Sequence, residues 1–356
     1  MRPDLRLWSL WLFALLLIPI GMSAADIRPN AVESGALVLG PEFEPDRLLD
    51  DDYYREIDFF LEERTASRGI GLWTRAAIDY QLFNDSPSRE VAVGEGDWLF
   101  GRGWIDNPCD KIDLALRPAI PAGQEDAVTF LIPLPKIHWL ADLVEPHDRP
   151  PACAPDARER LLERIAADPS GVALPTIGAD PEGSFYEQDS HWSPLGRLRA
   201  AEALIDHIAP GLWEAEAVIP APVLELNTLR RFLGYRDDRS VDGFVVDRGV
   251  DFDIAEQTTG LGLLIWQRSR VSGGPVIPGT TYMFGDSQLA FMVPDIEQYF
   301  EELIFIGWLR TGFPLDLDSL PQPDRVIVEA VEAAVPRAFA TPMLLDVMER
   351  LPVDDG

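Results

Sequence analysis

The hydrophobic positions of this chain gather into short continuous runs, separated by polar, proline- and glycine-rich stretches. Ala127–Pro133, Thr281–Phe284, Leu303–Ile306 and Arg325–Val328 are such runs, and Gly171–Ile177 reads as another. Runs that are apolar throughout, rather than at every second position, belong to strands covered on both faces, as in parallel sheets. Helical spacing lies between them, over residues 157–166 and in a longer segment after Ser193-Pro194. Serine at a cap and proline at the first helical position predict a helix start there; Leu195, Leu198, Ile205 and Ile208 are its predicted buried face, and Pro210-Gly211 its stop. Strands alternating with helices predict an α/β body of three layers, α/β/α, around a mostly parallel sheet. Ahead of it, Glu90–Phe100 places two β-prone runs around Gly94-Glu95-Gly96-Asp97, which predicts a hairpin. Residues 53–80 carry Ile57, Phe60, Leu61, Trp73, Ala77 and Tyr80 at near-helical spacing, interrupted at Gly69-Ile70-Gly71, and predict an N-terminal helical segment. The stretch from Val218 to Pro275 fits neither pattern and reads as an insertion.

Composition places this body in an exported, globular context. Of the 356 residues 47% are hydrophobic and 25% charged, which excludes wholesale disorder. Sixty acidic residues against thirty basic ones give a net charge of −30, which repels phosphate backbones and disfavours a nucleic-acid partner. Arg2 and Arg6, the apolar stretch Leu7–Ile20 and the small residues Ser23-Ala24-Ala25 have the layout of a secretory signal; the alternative is an uncleaved signal anchor. The organisation is therefore a leader over 1–25, a polar tether and helices over 26–89, the main body over 90–340 and a C-terminal tail over 341–356. In an oxidising compartment Cys109 and Cys153 are a candidate disulfide. With four scattered histidines they form no zinc-type spacing, so no metal and no other cofactor is expected.

Two motifs carry candidate chemistry. Asp189-Ser190-His191 sits in the loop just before the capped helix. Residues i and i+2 of an extended segment project to one side, so Asp189 can orient the His191 ring if the loop geometry allows; otherwise Asp189 caps a turn and His191 is a surface histidine. In Gly285-Asp286-Ser287 an apolar strand runs into a helix start, which sets a serine hydroxyl at the carboxyl end of a strand, where α/β folds build their sites. Gly285 allows a sharp bend, and the Ser287 backbone N–H with the helix N-terminus can hold an oxyanion. A serine needs a base to become nucleophilic and a histidine needs a partner to present the right nitrogen, so the two motifs are stronger together.

Together these motifs resemble the SGNH-hydrolase-like domain of bacterial alginate O-acetyltransferases, periplasmic enzymes that acetylate polysaccharides. Further segments agree in the family's order: Val93–Phe100 with its Gly-x-x-Gly-Trp-Leu-Phe hairpin, Ile132–Lys136 with a strand ending in Pro-x-Lys, and Pro323–Glu329 with a late Pro-Asp-x-Val strand. The resemblance spans about residues 53–335. It implies an SGNH-hydrolase-like catalytic domain with Ser287 as nucleophile, His191 as general base and acid, and Asp189 as its orienter. It also implies a polysaccharide acceptor and an acyl donor supplied by a membrane acyltransferase partner, with the protein periplasmic or otherwise exported. Trp192, Tyr186, Trp98 and Arg231 are candidate glycan contacts; Trp308 and the arginines around Arg231 extend that set. Two other readings use the same residues: an esterase with water as acceptor, and a non-catalytic glycan-binding component of an export complex.

Overall fold

The structure is a computed structural model; it describes residues 91–102, 124–144, 170–172, 179–224, 240–260, 263–307, 316–331 and 341–352, with isolated positions between them. The leader, the tether, most of the helical segments at 53–80 and 157–166, and both cysteines lie outside the described residues; Ile78, Tyr80 and Glu163 are helical where expected. The chain divides into two compact units. Met1–Val93 with Asn227–Asp237 forms one, of which the strand β1 (Val91–Val93) is described, with its three residues buried. Gly94–Leu226 with Asp238–Gly356 forms the other, and everything below belongs to it.

This second unit is built on a seven-stranded sheet. In chain order it contains β2 (Leu99–Gly101), β3 (Val128–Leu131), β4 (Gly171–Val172), β5 (Val218–Leu224), β6 (Ser240–Val246), β7 (Asp251–Gly260), β8 (Leu263–Ser272), β9 (Ile277–Gly285), β10 (Phe300–Gly307) and β11 (Arg325–Glu329). The sheet runs β4-β3-β11-β9-β10-β8-β7. Its ladders from β4 to β10 are parallel, and β8 and β7 extend it antiparallel. The fold is therefore α/β with a mostly parallel sheet. The four apolar runs at its centre are buried because both faces are covered: Phe130, Tyr282, Phe284, Ile304, Val326 and Val328 share one core cluster.

Three sequence expectations shift. Gly171–Ile177 shrinks to the two residues of β4, which pair with Phe130 and Leu131, and Ile177 is helical. Pro175, which has no amide hydrogen for a ladder, lies within that run. The insertion at 218–275 resolves into a separate β5–β6 ladder and the antiparallel pair β7–β8. One long side of β7 is a sheet edge and most of its residues are exposed, so it never needed an apolar run. Finally, the tail at 341–356 begins with a helix, Pro342–Glu349, whose Leu344, Val347 and Met348 join the core cluster together with Leu351. Its spacing of apolar residues over one face is what packs it there, so the body extends beyond 340.

Candidate active site

Strand β9 ends at Gly285, and helix α4 (Ser287–Ile296) starts two residues later; among the helices described end to end, α1 (Lys136–Trp139), α2 (Pro181–Ser184) and α3 (Pro194–Ile208) precede it. Gly285 is required for space rather than for an unusual backbone angle. A Cβ there would land on the Leu289 side chain, one turn into the helix. Asp286 is the cap: its Oδ1 accepts the Gln288 N–H at 2.7 Å and its Oδ2 the Val331 N–H at 3.4 Å. The Asp286 N–H in turn donates to Glu329 Oε2 at 2.9 Å. Burial and the neighbouring Asp286 push the Glu329 carboxyl well above its usual range, and burial raises Asp286 as well. Glu329, accepting the Asp286 N–H, thus underlies the turn that presents Ser287.

The partner loop comes from the other side. Ser193 caps α3, its Oγ accepting the Gly196 N–H at 3.1 Å, as the Ser-Pro start predicts. The buried face of α3 is Gly196, Ala200, Ala201, Leu204 and Ile205, whereas Leu195, Leu198 and Ile208 are half-buried. Small residues face inward because the helix lies close to its neighbour: a Cβ on Gly196 would overlap the Ser184 carbonyl. Phe185 and Trp192 form an antiparallel bridge, and the Tyr186 N–H donates to the His191 carbonyl at 3.3 Å, so residues 185–192 fold into a closed loop.

Within that loop Asp189 is fully buried, and its Oδ1 accepts both the backbone N–H of His191, at 2.9 Å, and a hydrogen bond with His191 Nδ1. The opposite ring nitrogen, Nε2, lies 2.7 Å from Ser287 Oγ. Ser287, His191 and Asp189 therefore form one hydrogen-bonded line, although 96 residues separate the serine from the histidine. The Phe291 and His191 rings meet edge to face, their centres 5.1 Å apart. As the first residue of α4, Ser287 has a backbone N–H with no acceptor among the described residues, whereas that of Gln288 is taken by Asp286. A cavity of about 200 Å³ opens on this line, walled by Phe100, Pro135, Ile137 and Val331 beside Lys136, His191 and Ser287. It is large enough for a small acyl group, and its lining is mostly apolar. Among the described residues no group of three histidine, cysteine or acidic side chains is set to hold a metal ion.

The aromatic residues expected to stack on sugar do not face the cavity as platforms. Trp192, Tyr186 and Trp98 are only 3%, 7% and 7% exposed. Trp192 is held in the loop bridge, and Trp98 packs under the Lys136 ammonium, 5.0 Å from its ring centre. Their bulk stabilises the loop instead. Arg231 and its neighbouring arginines, Trp308, Cys109 and Cys153 lie outside the described residues.

Three polar residues around the site were not singled out for any role by sequence. Lys136 is buried, and its Nζ donates to the carbonyls of Asp189, Tyr186 and Glu187 at 2.7, 2.9 and 3.1 Å. Burial lowers its ammonium to about 7, against the pull of Asp189 and Glu187. Gln288 and Glu329 are the others. The available signal was a polar residue at the end of an apolar run, and that pattern alone cannot separate a strand terminus from a site.

No protein-family model and no curated protein matches the sequence. Solved structures do. PatB1 of Bacillus cereus, described with a sulfonyl adduct, is 13% identical, with 70% of this chain and 99% of that one covered at a TM-score of 0.51. A DHHW family protein from Eubacterium siraeum is 12% identical (75% and 97% covered, TM-score 0.46). The O-acetyltransferase domain of Pseudomonas putida AlgJ is 16% identical (73% and 98% covered, TM-score 0.44). The similarity to PatB1 shows a shared fold.

Proposed function

We propose that this protein is an exported O-acetyltransferase that acylates a polysaccharide through Ser287, on a three-layer SGNH-hydrolase-like body. The observation that carries the proposal is the Ser287–His191–Asp189 line, 2.7 Å from hydroxyl to imidazole, opening on an apolar cavity. In the proposed reaction Ser287 Oγ attacks the carbonyl carbon of the acyl donor while His191 Nε2 takes the hydroxyl proton. Asp189 holds the ring so that Nε2 faces the serine and stabilises the imidazolium once it forms. The Ser287 N–H, at the positive end of α4, is the proposed donor to the oxyanion. Collapse expels the donor's leaving oxygen with the proton from His191. A sugar hydroxyl then attacks the acyl-serine, gives its proton to His191, and Ser287 leaves with that proton restored. The resemblance in the ordered motifs supports acetyl as the group and a polysaccharide as acceptor, with a membrane acyltransferase supplying the acyl group. The description of PatB1 with a sulfonyl adduct fits a reactive nucleophile on this fold.

Transfer and hydrolysis share every step except the last. Transfer prevails when the sugar hydroxyl is held at high effective concentration and water is excluded. The test follows the leaving group of a chromogenic acetyl ester with and without oligosaccharides, and analyses the sugars. Faster turnover with acetylated sugar as product is expected. Rapid turnover indifferent to every glycan, with no acetylated sugar, would make the protein an esterase.

A further inference from the structure

The residue directly after Ser287 reaches back across the site. Gln288 is buried, and both polar atoms of its side chain are spent on the backbone flanking His191. Its Oε1 accepts the Trp192 N–H at 3.1 Å, and its Nε2 donates to the Ser190 carbonyl at 3.2 Å. One planar amide thus grips the main chain on either side of the histidine, as the facing strand of a ladder would. Because Gln288 is bonded in sequence to Ser287, the grip ties the register of the histidine loop to the position of the serine backbone.

The other contacts described around this gap act differently. The Asp189 carboxylate orients the ring but belongs to the loop itself. Lys136 holds the loop from the side of α1, at the carbonyls of Tyr186, Glu187 and Asp189. Arg197 on α3 pairs with Asp295 on α4 at 2.5 Å, which joins the two helices rather than the histidine loop. Gln288 joins the two motifs through the main chain at the level of the Ser287–His191 hydrogen bond, beside the ring contact of Phe291 with His191. The carboxamide supplies a donor and an acceptor in one plane at fixed separation, whatever the pH. Its reach also matters, since asparagine is one methylene shorter.

We propose that Gln288 is a positioning residue, which sets the distance and angle between His191 Nε2 and Ser287 Oγ by clamping Ser190 and Trp192. The proposal rests on the acyl-serine reading above. Displacement of a reacting group by about 1 Å costs on the order of a hundredfold in rate, so a clamp at this place acts on turnover rather than on binding. Gln288 and Ser190 also border the cavity, whose apolar wall is Phe100, Pro135, Ile137 and Val331, so kcat and KM are read separately to distinguish positioning from binding.

The test uses the full chain in four forms: wild type, Ser287→Ala, Gln288→Leu and Gln288→Glu. Leucine removes donor and acceptor at similar volume. Glutamate keeps an acceptor for Trp192 but loses the donor to Ser190, and it serves if the leucine variant does not fold. Turnover of p-nitrophenyl acetate is measured with kcat and KM separated, alongside the low-field proton resonance of the hydrogen bond between His191 Nδ1 and Asp189. Expected is a fall in kcat of about ten- to a hundredfold in Gln288→Leu with KM within about twofold, a smaller fall in Gln288→Glu, and a broadened or lost low-field resonance in both. A Gln288→Leu or Gln288→Glu protein with wild-type kcat and an unchanged resonance would overturn the clamp while leaving Ser287 as nucleophile. Turnover retained in Ser287→Ala would overturn the acyl-serine reading itself, and the clamp with it.

Discussion

Asp189 has no exposed surface, so its charge must be supported by what surrounds it, and the two hydrogen bonds from His191 are part of that support. Replacing it with asparagine keeps the shape but offers the ring an amide in place of a carboxylate. The histidine then loses its preferred tautomer and its counter-charge. Asp189→Asn should lower kcat by about 10³–10⁴-fold with KM nearly unchanged, measured with the same chromogenic ester. An unaltered kcat would point to another acid as the partner of His191. Lys136 presents the complementary case. It spends three donors on three carbonyls, and removing them strands buried acceptors beside a buried carboxylate. Lys136→Met should lower thermal stability by about 3–5 kcal/mol and reduce activity more than tenfold, as read by calorimetry and ester turnover. A variant of wild-type stability would mean that the loop at 185–192 holds its shape without the ammonium.

Helix α4 delivers Ser287 at its first residue and carries acids at its other end, where the helix dipole is negative. Asp295 is pushed up to about 6 and Glu297 to about 7, each chiefly by burial. A carboxyl whose pKa is higher in the folded state favours folding while it is protonated in both states. That contribution is complete below the unfolded value near 4 and fades as pH rises through about 6 and 7. Glu297 accepts a hydrogen bond from Gln267 Nε2, a role that a glutamine in its place can keep. Glu297→Gln should therefore gain stability over wild type, by roughly 1–3 kcal/mol, between about pH 5 and pH 8. Thermal unfolding of both proteins across that range checks it, and a difference independent of pH would contradict it.

The elements also show what the sequence could and could not reveal. The four central strands were legible because burial on both faces leaves an unbroken apolar run, and the starts of α3 and α4 because Ser193-Pro194 and Gly285-Asp286-Ser287 are local capping signals. The pair β7–β8 was not legible, since an edge strand with solvent on its outer side carries Asp251, Asp253 and Glu256 in place of a run. Local motifs singled out Ser287, His191 and Asp189, which the fold brings into one hydrogen-bonded line; Lys136, Gln288 and Glu329 were not assigned, because they make contacts between segments distant in sequence. The aromatic residues beside the motifs were misjudged for the same reason: Trp98 is tied by its contact with Lys136, 38 positions away, and composition cannot place it inside or outside.

At the scale of the whole molecule, a serine from the end of β9 and a histidine from the loop before α3 meet at the carboxyl edge of one sheet, which is where parallel α/β sheets gather chemistry. The net charge of −30 favours neutral acyl donors and acceptors at long range unless arginines gather at the site. All of this turns on whether Ser287 takes up an acyl group. The direct measurement is mass spectrometry of the full chain after brief exposure to an activated acetyl ester, with peptide mapping of the product. One acetyl group on the peptide containing Ser287, absent from Ser287→Ala and greatly slowed in His191→Ala, is the predicted result. A Ser287→Ala protein that acquires acetyl at the wild-type rate, or a wild-type protein that acquires none, would contradict the account.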